Sequence, residues 1–340
     1  MFFKTIIQGR LEFSSQKSFD KVLKMYQYRT ESYYKNDVLL EEEEIFNRDS
    51  SSLYVKRFVV QASEKSWRNT VSLLDYCSQF AISGSVKAWM TDNGKIMRYS
   101  EIEPESDKSA VIQFKKGKKY SEEEGKETEA IQALSKAIEK HNGHANAYEK
   151  RARVLLQLEN YDEALEDYGK AIKLDDGIAD AYYGRAEIYI RRGEWQNAIS
   201  DLEWALKKAI ALEPMYWTSR LKKADCHIRL GEWEKASFDL KFFTNRVFKT
   251  DNPNYFKKAY SYVRYGQVLM EEEKYDEAYA AFCKAVDNDQ GTNRTSMEEM
   301  LYYRGFSRMK MGKKGYLKDI KTAAQAGVED AKTFLADLKR

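Results

Sequence analysis

ANAYEKRARVLLQLENYDEALEDYGKAIKLDDGI, residues 145–178, runs directly into ADAYYGRAEIYIRRGEWQNAISDLEWALKKAI, residues 179–210. Laid over each other at a period of 34 residues, Tyr148 falls on Tyr182, Ala152 on Ala186, Tyr161 on Trp195, Ala164 on Ala198 and Ala171 on Ala205. Self-similarity at that period marks a stack of helical hairpins, each too small to bury its own apolar face. A small residue carries the register outward through Ala130, Ala164, Ala198, Ala236 and Ala278, at spacings of 34, 34, 38 and 42. A weaker sixth unit has Gly305 and Gly312 in register and Leu317 in place of the alanine. The extra residues of the two wide spacings are expected between units, at Ala209–Tyr216, as a longer second helix, and at Val247–Asn254.

The fourth residue of the unit is bulky at Phe114, Tyr148, Tyr182 and Tyr262, and the eighth is small at Ala152, Ala186, Ala224, Gly266 and Gly305. The seventeenth is aromatic at Tyr161, Trp195, Trp233 and Tyr275. Lys118, Glu127, Arg220 and Phe243 depart from the pattern. These marks resemble the tetratricopeptide repeat (TPR) family over about two-thirds of the chain. The resemblance implies an all-α TPR superhelix over residues 106–340, of about six repeats, ending in a capping helix from Ala323–Leu338. It also implies that the first helix of each unit lines a concave groove. Carried onto this sequence, that groove holds Arg153, Tyr183, Glu187, Ile190, Leu221, Ile228, Tyr260, Val263, Met270, Tyr302 and Phe306. Its N-terminal end is charged and its C-terminal end apolar and aromatic, a lining suited to an amphipathic helix or an extended apolar peptide. The Lys/Asn set with which one TPR subclass clamps a C-terminal carboxylate is missing from every three consecutive units.

Residues 1–105 read differently. Phe2–Phe13 is β-prone, Ser18 is a helix cap before Phe19–Tyr34, and Val38–Phe46 and Leu53–Ala62 are strands. Ser63 caps a second helix, Glu64–Phe80, and Val86–Met90 and Lys95–Tyr99 flank a Thr-Asp-Asn-Gly turn. The order βαββαβ plus a hairpin strand predicts a ferredoxin-like α+β domain. That topology also serves RNA binders, but Leu53–Val60 lacks the glycine-aromatic motif of the RNA-binding version. Glu41–Glu44 on adjacent strand positions would point to opposite faces, so the run is read as a solvated edge strand and not a metal site. Glu101–Ala110, polar and containing Pro104, has linker composition.

Charge and cysteine content exclude more than they select. The 57 basic and 54 acidic residues leave a net charge of +3, no footprint for nucleic acid, so a nucleic-acid partner is not expected. Cys77, Cys226 and Cys283 are three, far apart and without a CxxC pair, which points to a reducing compartment with neither disulfides nor structural zinc. The N-terminus lacks the apolar core of a signal peptide and no window approaches 18 apolar residues, so a cytoplasmic location without membrane span is expected. His141 and His144 flank Asn142-Gly143 without a third ligand nearby, and no nucleophile, base and orienting group form a motif. No metal, cofactor or catalytic residue is assigned. The sequence predicts a non-enzymatic scaffold whose groove holds a protein or peptide partner, with self-assembly into a homo-oligomer as one form of that role. Two alternatives stand beside it: a regulatory module whose N-terminal domain binds a small ligand or RNA, and a structural subunit of a larger assembly.

Overall fold

A computed structural model describes residues 1–289 and 295–338. The chain divides into two compact units, Met1–Ile188 and Tyr189–Arg340. The first unit opens with β1 (Phe2–Phe13), α1 (Gln16–Tyr28), a π-helical turn (Arg29–Tyr33) and α2 (Glu42–Ile45). It continues with β2 (Phe46–Asn47), β3 (Ser52–Ser63), α3 (Glu64–Ser78), β4 (Ala81–Asp92) and β5 (Lys95–Ile102). The five strands form one antiparallel sheet in the order β2-β3-β1-β4-β5. Alternation along each strand turns Ile7, Leu11, Leu53, Val55, Val86, Ala88 and Met90 to one face, where Phe19, Val22 and Tyr26 of α1 and Trp67, Leu73 and Leu74 of α3 cover them. Gly9 pairs with Val86 and Gly84 with Leu11, two places apart on the β1–β4 ladder. A Cβ on Gly9 would stand 2.2 Å from the Ser85 carbonyl oxygen, and one on Gly84 2.1 Å from that of Arg10. The β4–β5 turn uses Asn93 and Gly94, both at positive φ, as a tight hairpin requires.

Two local expectations are corrected. The first helix starts at Gln16 with Ser15, not Ser18, as its cap; the Ser15 hydroxyl accepts from the Ser18 amide at 3.2 Å. The strand expected over Val38–Phe46 shrinks to Phe46–Asn47, and the glutamate run becomes the helical turn α2 instead of an edge strand. Glutamate favours helix over strand. The segment before it is also held off the sheet, since Tyr26 donates to the Leu40 carbonyl (2.6 Å) and the Leu39 amide to the Thr70 hydroxyl (2.9 Å).

The polar connector after β5 is anchored and not free. Ser106 donates to the Ala81 carbonyl (3.0 Å), Lys108 to that of Phe80 (3.0 Å), and Lys118 pairs with Glu103 (2.7 Å). The helices α4 (Ser109–Tyr120), α5 (Glu127–Lys140), α6 (Ala145–Gln157) and α7 (Tyr161–Leu174) follow as two hairpins, then α8 (Ala179–Arg191). The far face of the sheet meets the turn between these hairpins, where Ser83 donates to Glu12 (2.7 Å) and His141 Nε2 lies 3.4 Å from Glu12. The expected boundary at residue 105 therefore falls inside the first compact unit. Lys118, which breaks the small-residue pattern, is compensated one place earlier by Gly117, whose hydrogen faces Leu134; a Cβ there would be 2.6 Å from its Cγ.

In the second unit come α9 (Trp195–Lys208), α10 (Pro214–Arg229), α11 (Trp233–Asn245), a 3-10 turn (Tyr255–Lys257) and α12 (Lys258–Glu271). Then follow α13 (Tyr275–Asp287), α14 (Met297–Lys310), α15 (Tyr316–Gln325) and α16 (Glu329–Asp337). Trp217, Leu221, Leu240 and Phe243 build one core cluster, and Val263, Leu269, Phe282 and Met300 the next. The first insertion does not lengthen a second helix. α9 stops at Lys208, and the extra residues extend the next first helix, because Pro214 at its opening position needs no amide partner there. The C-terminal amphipathic stretch is likewise two helices. Gly327 at φ 104 ends α15, and only Glu329–Asp337 forms the cap.

Candidate functional site: the inner helices of the repeats

Within each hairpin the first helix carries the expected inner positions. In the first unit Arg153 on α6 is exposed, and Tyr183 on α8 donates to Glu187 one turn on, at 2.9 Å. Burial, followed by the Glu187 charge, raises the Tyr183 hydroxyl well above its ordinary pKa, so it stays a donor. Arg153 and Glu187 bring charge of both signs to α6 and α8.

Ile190, at the end of α8, is half-buried. On α10 and α12 the expected residues separate into two groups. Leu221 and Val263, at 3% and 1% exposure, are core residues packed between helices and offer no open surface. Ile228, Tyr260 and Met270 are half-buried and border those clusters. Beside them lies a polar network. Asp225 accepts from Arg264 Nε at 3.0 Å and from the Tyr260 hydroxyl at 3.2 Å, and Arg264 Nη1 donates to Gln267 at 3.0 Å. Burial pushes the Asp225 carboxyl upward, and Arg264 pulls against it. Further on, Tyr302 and Phe306 stack with ring centroids 5.8 Å apart, and Phe334 of α16 meets Phe306 edge-on at 5.9 Å. The apolar end is thus partly covered by the cap.

Sequence reasoning missed Arg264, and it missed the ion pairs that fix three of the hairpins. Arg151 and Asp167 form a two-pronged pair at 2.7 and 2.8 Å, Arg304 and Asp319 another at 2.7 and 2.9 Å. In the fourth hairpin Lys223 (3.2 Å) and Arg220 (2.5 Å) share Asp239. The signal was available: a basic residue sixteen places before an aspartate recurs at Arg151/Asp167 and Lys223/Asp239.

The second unit also holds a cleft among α9, α10 and α11. About 520 Å³ is lined by Ile199, Glu203, Lys223, His227, Phe238 and Asp239 among others. Several of its charges are already paired: Lys223 reaches Asp239 and Glu203, and His227 Nδ1 meets Glu232 at 2.5 Å. Among the described residues no three His, Cys, Asp or Glu side chains converge as metal ligands, and no helix is long and apolar enough to cross a membrane.

Hairpins stacked in this way, with small residues at their crossings, define a helical-repeat protein. Residues 122–177, 149–203 and 183–239 match one tetratricopeptide-repeat family description, and residues 259–292 match a second. The array is similar to the solved structure of YrrB, described as a TPR protein with an unusual peptide-binding site. That likeness has TM-score 0.51 and 21% identity, covering 61% of this chain and 99% of that one. It is also similar to Pseudomonas aeruginosa pilF, with TM-score 0.51 and 15% identity over 68% of this chain and 98% of that one. Both likenesses lie in the fold. No curated protein matches the chain.

Proposed function

We propose that the chain is a non-enzymatic scaffold whose TPR array, residues 106–340, holds a protein or peptide partner on its inner helices, next to a ferredoxin-like domain over residues 1–105. Five antiparallel strands with two helices on one face support the second part. The observation carrying the first is the half-buried row Tyr260, Met270, Tyr302 and Phe306 beside the Asp225–Arg264–Gln267 network. Apolar surface beside a few fixed polar groups is what a peptide site needs: area for affinity, donors for register. YrrB, similar in fold, is described as having a peptide-binding site. The thiols of Cys77 and Cys226, free and buried, suit a cytoplasmic setting.

The test is a displayed random-peptide library selected on the full chain. Selected peptides should bind the Tyr183→Ala or Tyr302→Ala variant less tightly while its melting temperature stays close to wild type, and should bind Phe238→Ala, on the outer helix, normally. Equal binding to all three would move the site off the inner helices. Light scattering over a concentration series tests the self-assembled form of the same role; a strict monomer removes it.

A further inference from the structure

The helix layer of the N-terminal domain carries a second surface. On α1, Lys17, Lys21, Lys24 and Tyr28 follow one another at helical spacing, so one stripe about 16 Å long holds three ammonium groups and a ring. All four are exposed, Tyr28 to 68%. Past the helix end the π-helical turn adds Tyr33, 70% exposed, and Lys35 follows two residues on. Many charged side chains of the chain are neutralised by an ion pair. Among the described residues, none of these four lysines has a carboxylate within 4.0 Å. Of the two acids between residues 16 and 35, Asp20 is paired with Arg48 (2.9 Å) and Glu31 is exposed; against Lys17, Lys21, Lys24, Arg29 and Lys35 they leave the segment a positive excess.

Aromatic rings and cations alternate across the same face. Lys21 sits over Phe80 (5.1 Å), Phe80 meets Tyr76 (5.8 Å), Arg29 lies over Tyr76 at 3.6 Å and over Tyr33 at 5.7 Å. These contacts hold Arg29 and its neighbours in place, and Tyr33, which also meets Tyr34 edge-on at 4.9 Å, keeps most of its surface exposed, as does Tyr28.

We propose that this face binds single-stranded nucleic acid, with phosphates on Lys17, Lys21, Lys24 and Lys35 and bases stacked on Tyr28 and Tyr33. Uncompensated cations supply sequence-independent attraction to a polyanion. Open rings supply stacking that tolerates any base, and guanidinium planes add to it. An anionic membrane fits less well, because the apolar side of α1 (Phe19, Val22, Tyr26) is buried in the core and nothing aliphatic is left on the stripe to insert. An acidic peptide would use the lysines and leave the two tyrosines idle. The whole-chain balance of +3 hides the patch, since a local excess is averaged away. The surface is also distinct from the sheet face, part of which the first hairpins cover through Glu12, Ser83 and His141.

The experiment is fluorescence anisotropy of labelled oligo(U) and oligo(A) fifteen-mers with the full chain, from about 50 to 300 mM salt. Binding should weaken with salt and differ little between the two oligomers. Lys17→Glu/Lys21→Glu/Lys24→Glu should lose it at least tenfold and flatten the log–log salt slope by about 2. Tyr28→Ala/Tyr33→Ala should weaken it about tenfold or more and leave the slope unchanged. The neutral set Lys→Gln at the same three positions should fall between. No binding at low salt, or wild-type binding by the charge-reversed chain with unaltered circular dichroism, overturns the proposal. So does tighter binding to polyglutamate or to phosphatidylserine vesicles, which would give the face to an acidic peptide or a membrane.

Discussion

Arg151 and Asp167 face each other across the second hairpin with two parallel hydrogen bonds of 2.7 and 2.8 Å, and a third from Arg151 Nη1 reaches the Ser135 hydroxyl at 2.9 Å in the hairpin before. One guanidinium therefore fixes the crossing of α6 and α7 and ties that hairpin to α5. Burial holds the aspartate at 6% exposure, so removing its partner would strand a charge away from water. Arg151→Ala is expected to destabilise the chain by about 3 kcal/mol in urea unfolding. Arg151→Lys should recover only part of that, because a single ammonium cannot reproduce the fork. Full recovery by lysine would show that charge, and not geometry, matters at this crossing.

Gly184 meets Tyr168 in the same unit. A Cβ at Gly184 would fall 2.2 Å from both the ring Cζ and the hydroxyl oxygen, in a site where Tyr168 is 1% exposed. Gly184→Ala is expected to cost about 2 kcal/mol through overpacking, despite the better helix propensity of alanine. Tyr168→Leu in the Gly184→Ala background should recover part of the loss, giving a coupling in the double-mutant cycle. Additive effects would mean that the two side chains do not share space.

The repeat frame was legible because a 34-residue period needs only Ala, Gly and aromatic residues in register, and those choices answer to local packing. The strand near Glu41–Glu44 was not, since a two-residue strand leaves no alternation to read and Tyr26 and Thr70 decide the path of the segment from afar. Leu221 and Val263 were read as groove residues by position, but a half-turn's rotation of a helix separates lining from core, and a single sequence does not encode that angle. Arg264 stands outside the carried-over positions, and its pairing with Asp225 joins two helices 39 residues apart in sequence, a contact that no local pattern encodes.

Stability should fall in mild acid, through His144. This side chain accepts from the Ala147 amide at 3.3 Å, packs on Phe114, and is held neutral: burial, then neighbouring His141, pull its pKa down to about 3, while Glu12 pulls the other way. A depressed histidine binds its proton more readily when unfolded, so its contribution is complete above pH 6.5 and is lost as pH falls from there towards 3. Glu12, lowered by its hydrogen bonds to His141 and Ser83 against the burial that raises it, acts in the same direction at still lower pH. The loss should reach on the order of 4 kcal/mol. His144→Asn keeps a capping acceptor without the imidazole and should flatten the profile between pH 6.5 and 4. An unchanged profile would mean that His144 takes up its proton without cost.

Phe334 tests whether the cap and the inner face work as one. It meets Phe306 at 5.9 Å and Tyr316 at 6.5 Å, both edge-on, and is itself half-buried. Terminal repeats need an outer covering because the last hairpin otherwise shows water the face it would bury against a neighbour. Phe334→Ala should therefore cost about 1–2 kcal/mol, less than for a fully buried ring. The loss should appear locally, as faster amide exchange in α14 and α15, with α10 and α11 unaffected. The same change uncovers Phe306 and Tyr302 on the inner face. A peptide that uses those rings should then bind more tightly to Phe334→Ala than to wild type, although the variant is less stable. Weaker binding would instead make α16 part of the site, with Phe334 contributing a contact to the partner.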